Sequence, residues 1–167
     1  MSAELMVRMG ELVTSDSAGD VLVSLGLGSC IGLALLDRRR GLAGLAHVVL
    51  PASGRRERDA PGKFADLAVP ALVDELAARG GVHACMEAVL VGGAQMFSFG
   101  SRDSLDVGSR NEAAVRTALA AARIPVRAAA TAGAKGRTVR VHVAEGVVTV
   151  KEAGGSEGVL YGSEVMA

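Results

Sequence analysis

One of only two cysteines and one of only three histidines fall together in residues 21–51, VLVSLGLGSCIGLALLDRRRGLAGLAHVVLP. Cys30 follows a run with glycine at 26 and 28 and serine at 24 and 29, and His47 stands near the end of a second apolar run. A thiol attacks as its thiolate, and a histidine paired with it lowers its pKa and carries its proton. Gly28 and Ser29 leave main-chain N–H groups unshielded, so a bend there can aim them at an oxyanion. A histidine base also needs a third group to fix its tautomer. Ser24, on the run leading into the glycines, is the candidate. Each residue has a plainer reading beside this one. Cys30 packs as a small hydrophobe, His47 is a satisfied core histidine among Leu45, Ala46, Val48 and Val49, and Ser24 bonds to main chain.

Other chemistries find less support. His83 and Cys85 form an H-x-C pair with no second ligand pair at zinc-site spacing, so no metal is expected. Gly26-x-Gly28 lacks the third glycine and the helix of a dinucleotide loop, and no phosphate-binding G-x-x-x-x-G-K-[ST] occurs, so no cofactor is expected. Gly92-Gly93-Ala94 reads either as a plain turn or as backbone lining a cleft. Lys plus Arg and Asp plus Glu are equal at 18 each. That balance supplies no field for nucleic acid or an anionic membrane. The N-terminus carries acids instead of a basic leader, and no apolar run is long enough to span a bilayer. Two cysteines in such a chain point to free thiols in the cytoplasm.

The elements that must position these residues follow from periodicity. Half of the 167 residues are apolar, with only three Phe, one Tyr and no Trp, so one domain with a core of Val, Leu and Ala is expected. Met6–Val13 reads as a first strand, Thr14–Asp20 as a loop and Val21–Leu27 as a strand ending in a glycine bend. Ile31–Leu36 and Leu42–Leu50 flank Asp37-Arg38-Arg39-Arg40-Gly41 as an antiparallel hairpin. If Leu36 pairs with Gly41, Cys30 lies directly opposite His47 on one face. Residues 52–62 read as an exposed charged loop. A helix follows from Phe64 to the Gly80-Gly81 stop, with Pro70 kinking it or marking its first turn. Glu87–Val91 is a strand delivered into the Gly92-Gly93 turn, and residues 98–107 read as polar loop. Ser109-Arg110-Asn111-Glu112 fits a capping box that opens a second helix. Val126–Thr131 is a strand, and residues 137–144 with 147–151 form a second hairpin. Residues 152–167 read as a loosely ordered tail. A mixed-sheet α/β (α+β) domain results.

The blocks SLGLGSC (24–30), HVVLP (47–51), GGAQMF (92–97) and GSRN (108–111), in this order and spacing, resemble the CheD family of chemoreceptor glutamine deamidases. The similarity runs from about Val7 to Lys151. It implies a single-domain sandwich of mixed β-sheet with flanking helices, similar to the catalytic domain of cytotoxic necrotizing factor toxins. It also implies a cysteine hydrolase that converts glutamines of chemoreceptor cytoplasmic helices to glutamate, releasing ammonia, and a CheC-type phosphatase as a partner. The nucleophile then matches Cys30 and the base His47. Ser24 matches the third position, where the family usually has threonine, and Gly28, Ser29, Gly92 and Gly93 would form the oxyanion and substrate cleft. The Ala132–Arg137 turn departs from the family's usual glycine pair before its G-R. Two other functions fit the same resemblance: a non-catalytic adaptor docking to receptors or the phosphatase, and an esterase acting on receptor glutamyl methyl esters.

Overall fold

The structure, a computed structural model, describes residues 3–53, 60–95 and 107–162. Two five-stranded sheets face each other, and two helices cover the outer face of one of them. The strands are β1 (Ala3–Met6), β2 (Leu12–Ser15), β3 (Asp20–Leu27), β4 (Ile31–Asp37), β5 (Leu42–Val48), β6 (Glu87–Gly92), β7 (Val126–Thr131), β8 (Arg137–His142), β9 (Val147–Glu152) and β10 (Glu157–Tyr161). The first sheet runs β1-β3-β8-β9-β10 and the second β2-β5-β4-β6-β7. Both are mixed, with β1–β3 and β6–β7 parallel and the other pairs antiparallel. The expected α+β sandwich is therefore present.

The middle strands of the second sheet are buried on both faces, which is why β4 (IGLALLD) and β5 (LAGLAHV) read as nearly unbroken apolar runs. Ile31, Leu33, Leu35, Ala46 and Val48 point to the helices. Ala34, Leu36, Ala43 and Leu45 point the other way, to Leu22, Val139, Val141 and Val148 of the first sheet. Helix α1 (Ala65–Ala78) lays Ala65, Ala68, Val69, Leu72 and Leu76 on the sheet. It ends where the Gly81 N–H donates to the Leu76 carbonyl at 2.8 Å. Pro70 lies inside α1 on its exposed side, where its missing N–H and its ring face away from the sheet. Helix α2 (Val107–Ala121) packs Val115 and Leu119 beside α1. Among the described residues no helix is long and apolar enough to cross a membrane.

Several expectations need correction. The Met6–Val13 run is not one strand: Met6 ends β1 in the first sheet, and Leu12 begins β2 in the second. Residues 7–11 carry the chain from one sheet to the other, and Thr14 and Ser15 belong to β2, not to a loop. Ser109 is not an N-cap, because Val107 and Gly108 before it are already helical. The tail from residue 152 is not loose throughout, since Glu157–Tyr161 pairs with β9 as an edge strand. Its side chains are anchored too. Tyr161 Oη donates to Glu87 Oε1 at 3.0 Å, and the Arg38 guanidinium lies 5.4 Å from the Tyr161 ring centroid. Composition misled there because Gly154, Gly155, Ser156, Gly158 and Gly162 around a short apolar run read as loop. Most of the 52–62 loop and of the 98–107 loop, and the last residues of the tail, lie outside the described residues.

Candidate active site

The hairpin of β4 and β5 forms, but its register differs from the expected one by two residues. Gly32 pairs with His47 and Ile31 with Val48. The Arg38–Arg40 segment forms a 3-10 turn at the tip, closed by Gly41 at φ 66°, so the closing pair is Asp37 with Leu42 and the four-residue connection sits one residue further along the chain. A slip of two keeps every side chain on its own face. Cys30 and His47 therefore still share the face between the sheets, set diagonally instead of directly opposite. Diagonal neighbours lie roughly 7–8 Å apart, within reach of longer side chains.

Cys30 sits in the bend between β3 and β4, 9 % exposed. The bend begins with a register shift in β3 between Ser24 and Leu27, where Gly26 takes φ 56°. The main chain of Cys30 is held from behind. Its carbonyl accepts from the Gly93 N–H at 2.9 Å, and the Gly28 carbonyl accepts from Ala94 N–H at 2.8 Å. Gly92, at φ 113°, comes so close to the Cys30 carbonyl that a Cβ there would overlap it. Gly92 and Gly93 thus brace the bend that carries Cys30, and the Gly93 N–H is not free to hold an oxyanion. Among the described residues, the N–H groups of Gly28, Ser29 and Cys30 meet no acceptor.

His47 is 6 % exposed and anchored to the segment that crosses between the sheets. Its N–H donates to Glu11 O at 3.0 Å, and its carbonyl accepts from Gly10 N–H at 2.9 Å. Its ring Nδ1 lies 3.0 Å from the Val7 carbonyl. A carbonyl only accepts, so Nδ1 carries the proton and Nε2 keeps the basic lone pair. Ser24, fully buried, donates its hydroxyl to the same Val7 carbonyl at 2.8 Å. The tautomer is therefore set by a peptide oxygen. The serine reaches the imidazole only through that oxygen, and its plainer reading as a hydroxyl bonded to main chain holds as well.

Burial pushes the Cys30 thiol up from its ordinary pKa. Burial likewise pushes His47 down, against the opposing pull of the Val7 carbonyl and the Glu11 carboxylate. Both shifts favour the uncharged forms. Both directions work against a preformed thiolate–imidazolium pair. His47 opens into a cavity of about 490 Å³ lined by Met6, Val7, Arg8, Met9, Val23 and Leu25. Met9 and Leu25 are 65 % and 54 % exposed, so the mouth is apolar. A larger groove between α1 and α2, about 760 Å³, contains neither Cys30 nor His47. Among the described residues no group of three or more His, Cys, Asp or Glu side chains could hold a metal ion.

The profile of the family CheD chemotactic sensory transduction matches residues 49–152. The chain belongs to the CheD family. Two similar proteins, both named probable chemoreceptor glutamine deamidase CheD, come from Clostridium botulinum. That of strain Alaska E43 is 41 % identical over 155 residues, covering 92 % of this chain and 95 % of the relative. That of strain Eklund 17B is 43 % identical over the same length and coverage. A protein of that name from Symbiobacterium thermophilum is 42 % identical over 154 residues, 90 % of this chain and 93 % of its own. Among solved structures, a Bacillus licheniformis hypothetical protein YfiH superimposes with a TM-score of 0.46 at 15 % identity, covering 74 % of this chain and 49 % of its own.

Two participants in this CheD site escape sequence reasoning. Val7 contributes only a carbonyl, which no side-chain pattern reveals. Asn111, in the GSRN block, looked like part of a capping box. It lies instead in the first turns of α2, fully buried, with Nδ2 2.9 Å from both the Ser29 and the Val49 carbonyls. Its place in a block that also holds a glycine was the only available signal.

Proposed function

We propose that this chain deamidates glutamine side chains of chemoreceptor cytoplasmic helices, with Cys30 as nucleophile and His47 as general base. The names of its relatives support the reaction class. The observation that carries the residue assignment is the Nδ1–Val7 bond, which leaves Nε2 as the basic nitrogen on the face that also carries Cys30.

Nε2 takes the Sγ proton as Sγ attacks the carboxamide carbon. The resulting oxyanion is stabilised by main-chain N–H groups at Ser29 and Cys30. The tetrahedral adduct then collapses, the C–N bond breaks, and the nitrogen takes the proton from Nε2 and leaves as ammonia. Water, deprotonated by Nε2, hydrolyses the thioester to glutamate and returns the proton to sulfur. No cofactor enters these steps. A cytoplasmic protein with a CheC-type phosphatase as partner is part of the same reading.

The deciding experiment is mass spectrometry of a receptor cytoplasmic fragment together with ammonia release. Conversion of glutamine to glutamate is expected with the wild type and lost with Cys30→Ala. Conversion that persists in Cys30→Ala overturns the mechanism. The buried Cys30, whose thiol burial pushes up from its ordinary pKa, favours one second reading, an adaptor that docks to receptors without chemistry. It predicts receptor binding with no ammonia released by the wild type. Methanol release from a methylated receptor fragment would instead mark an esterase.

A further inference from the structure

We infer that Asn111 is a positioning residue, a clamp that fixes the nucleophile bend to the histidine strand; this rests on the deamidase reading above. The β4–β5 ladder ends at the pair Ile31 and Val48. The next rung would join Cys30 to Val49, but the Cys30 carbonyl is bonded to Gly93 and the Val49 N–H to the Lys63 carbonyl at 2.8 Å. Asn111 supplies the missing connection from outside the ladder. The two hydrogens of its Nδ2 go separately to Ser29, one residue before the nucleophile, and to Val49, two residues after the base, each at 2.9 Å.

Two further observations set Asn111 apart from a packing residue. Its Oδ1 is buried and has no hydrogen-bond partner among the described residues. A buried acceptor left unsatisfied is unfavourable, so an apolar side chain of similar volume would serve packing better. The helix turn that carries it is also seated on the bend's own support. A Cβ at Gly108 would overlap the Gly93 and Ala94 carbonyls. Helix α2 thus touches both residues that hold the main chain of the bend, while Asn111 spans from the bend to β5. Asn111 meets no reacting atom. It acts through Ser29 and Val49.

Asn111→Leu keeps the branched side-chain shape and removes both donors. With a receptor fragment as substrate, kcat is expected to fall on the order of 100-fold, the scale of a misplaced reacting group, with KM changed by less than about threefold. Iodoacetamide labelling of Cys30 should rise several-fold as the bend loosens. In Asn111→Asp the carboxylate faces two carbonyl oxygens at neutral pH. Its protonated form regains one donor, so its labelling rate, taken as a ratio to wild type, should return toward one as pH falls. In the wild type, NMR should show both Asn111 side-chain N–H protons protected from exchange, a readout that needs no variant to fold. Wild-type kcat and labelling in Asn111→Leu, or rapid exchange of those protons, overturns the clamp. If the wild type releases no ammonia, the deamidase reading falls, while labelling and exchange still decide the clamp.

Discussion

At Cys30 and His47 the fold favours the uncharged form of each group, and this sets the pH behaviour. Burial raises the thiol and lowers the imidazole, which opposes a preformed thiolate–imidazolium pair. In the free protein, Cys30 alkylation should keep rising with pH beyond about 8.5 instead of levelling off near neutrality. A plateau near neutral pH would show a preformed thiolate and contradict the geometry. With His47 as the proposed general base, its neutral form is the active one, and burial lowers its pKa from the ordinary imidazole value. The acid limb of kcat/KM should therefore lie below about pH 6.5. Ser24→Ala removes one of two donors on the Val7 carbonyl and leaves the imidazole bond. A loss of about 1 kcal/mol, or roughly fivefold in kcat, is expected, and inactivity would mean that Ser24 contacts the reaction directly. The sequence pointed to these three side chains because thiol, imidazole and hydroxyl have few alternative uses in so apolar a stretch. It was silent on Val7, since a carbonyl belongs to every residue alike.

At the scale of elements, β4 and β5 were legible because burial on both faces leaves a nearly pure apolar run. Their register was not. It depended on whether three arginines coil into a 3-10 turn, and no pattern of alternation reports that. The glycines separate by their surroundings. Gly92→Ala would drive a Cβ into the Cys30 carbonyl at a φ of 113°, with an expected cost on the order of 3–5 kcal/mol and loss of activity. Gly26→Ala, at φ 56° with nothing within 4 Å, should cost about 1 kcal/mol and keep most activity. Urea titrations with ammonia assays on both variants check the contrast. Strand β10 was missed because its short apolar run Val159–Tyr161 is framed by Gly154, Gly155, Ser156, Gly158 and Gly162, which read as loop, yet Tyr161 links it to Glu87 of the second sheet and to Arg38 at the hairpin tip. These contacts lie at the hairpin-tip end of β4, away from Cys30. A chain ending at residue 156 should lose about 2 kcal/mol of stability and retain its kcat. Unchanged stability would restore the loose-tail description.

Across the whole molecule, the site belongs to neither sheet alone. Ser24 comes from β3 of the first sheet, His47 from β5 of the second, and Cys30 from the bend where the chain passes between them. No part of the chain can open one sheet without dispersing these groups. Exposure of Cys30 to a thiol reagent in urea should therefore follow the same transition as loss of secondary structure. An earlier Cys30 transition would reveal local opening at the bend. Residue 7 shows what such a construction hides from genetics. Its contribution is an atom common to all twenty amino acids, so substitution at that position alters the side chain and leaves the acceptor in place. An alanine scan would report only the lost packing of the buried Val7 side chain and pass over the oxygen that sets the imidazole's tautomer. Only backbone chemistry, such as an ester in place of the peptide bond between residues 7 and 8, would weaken that oxygen and reveal it.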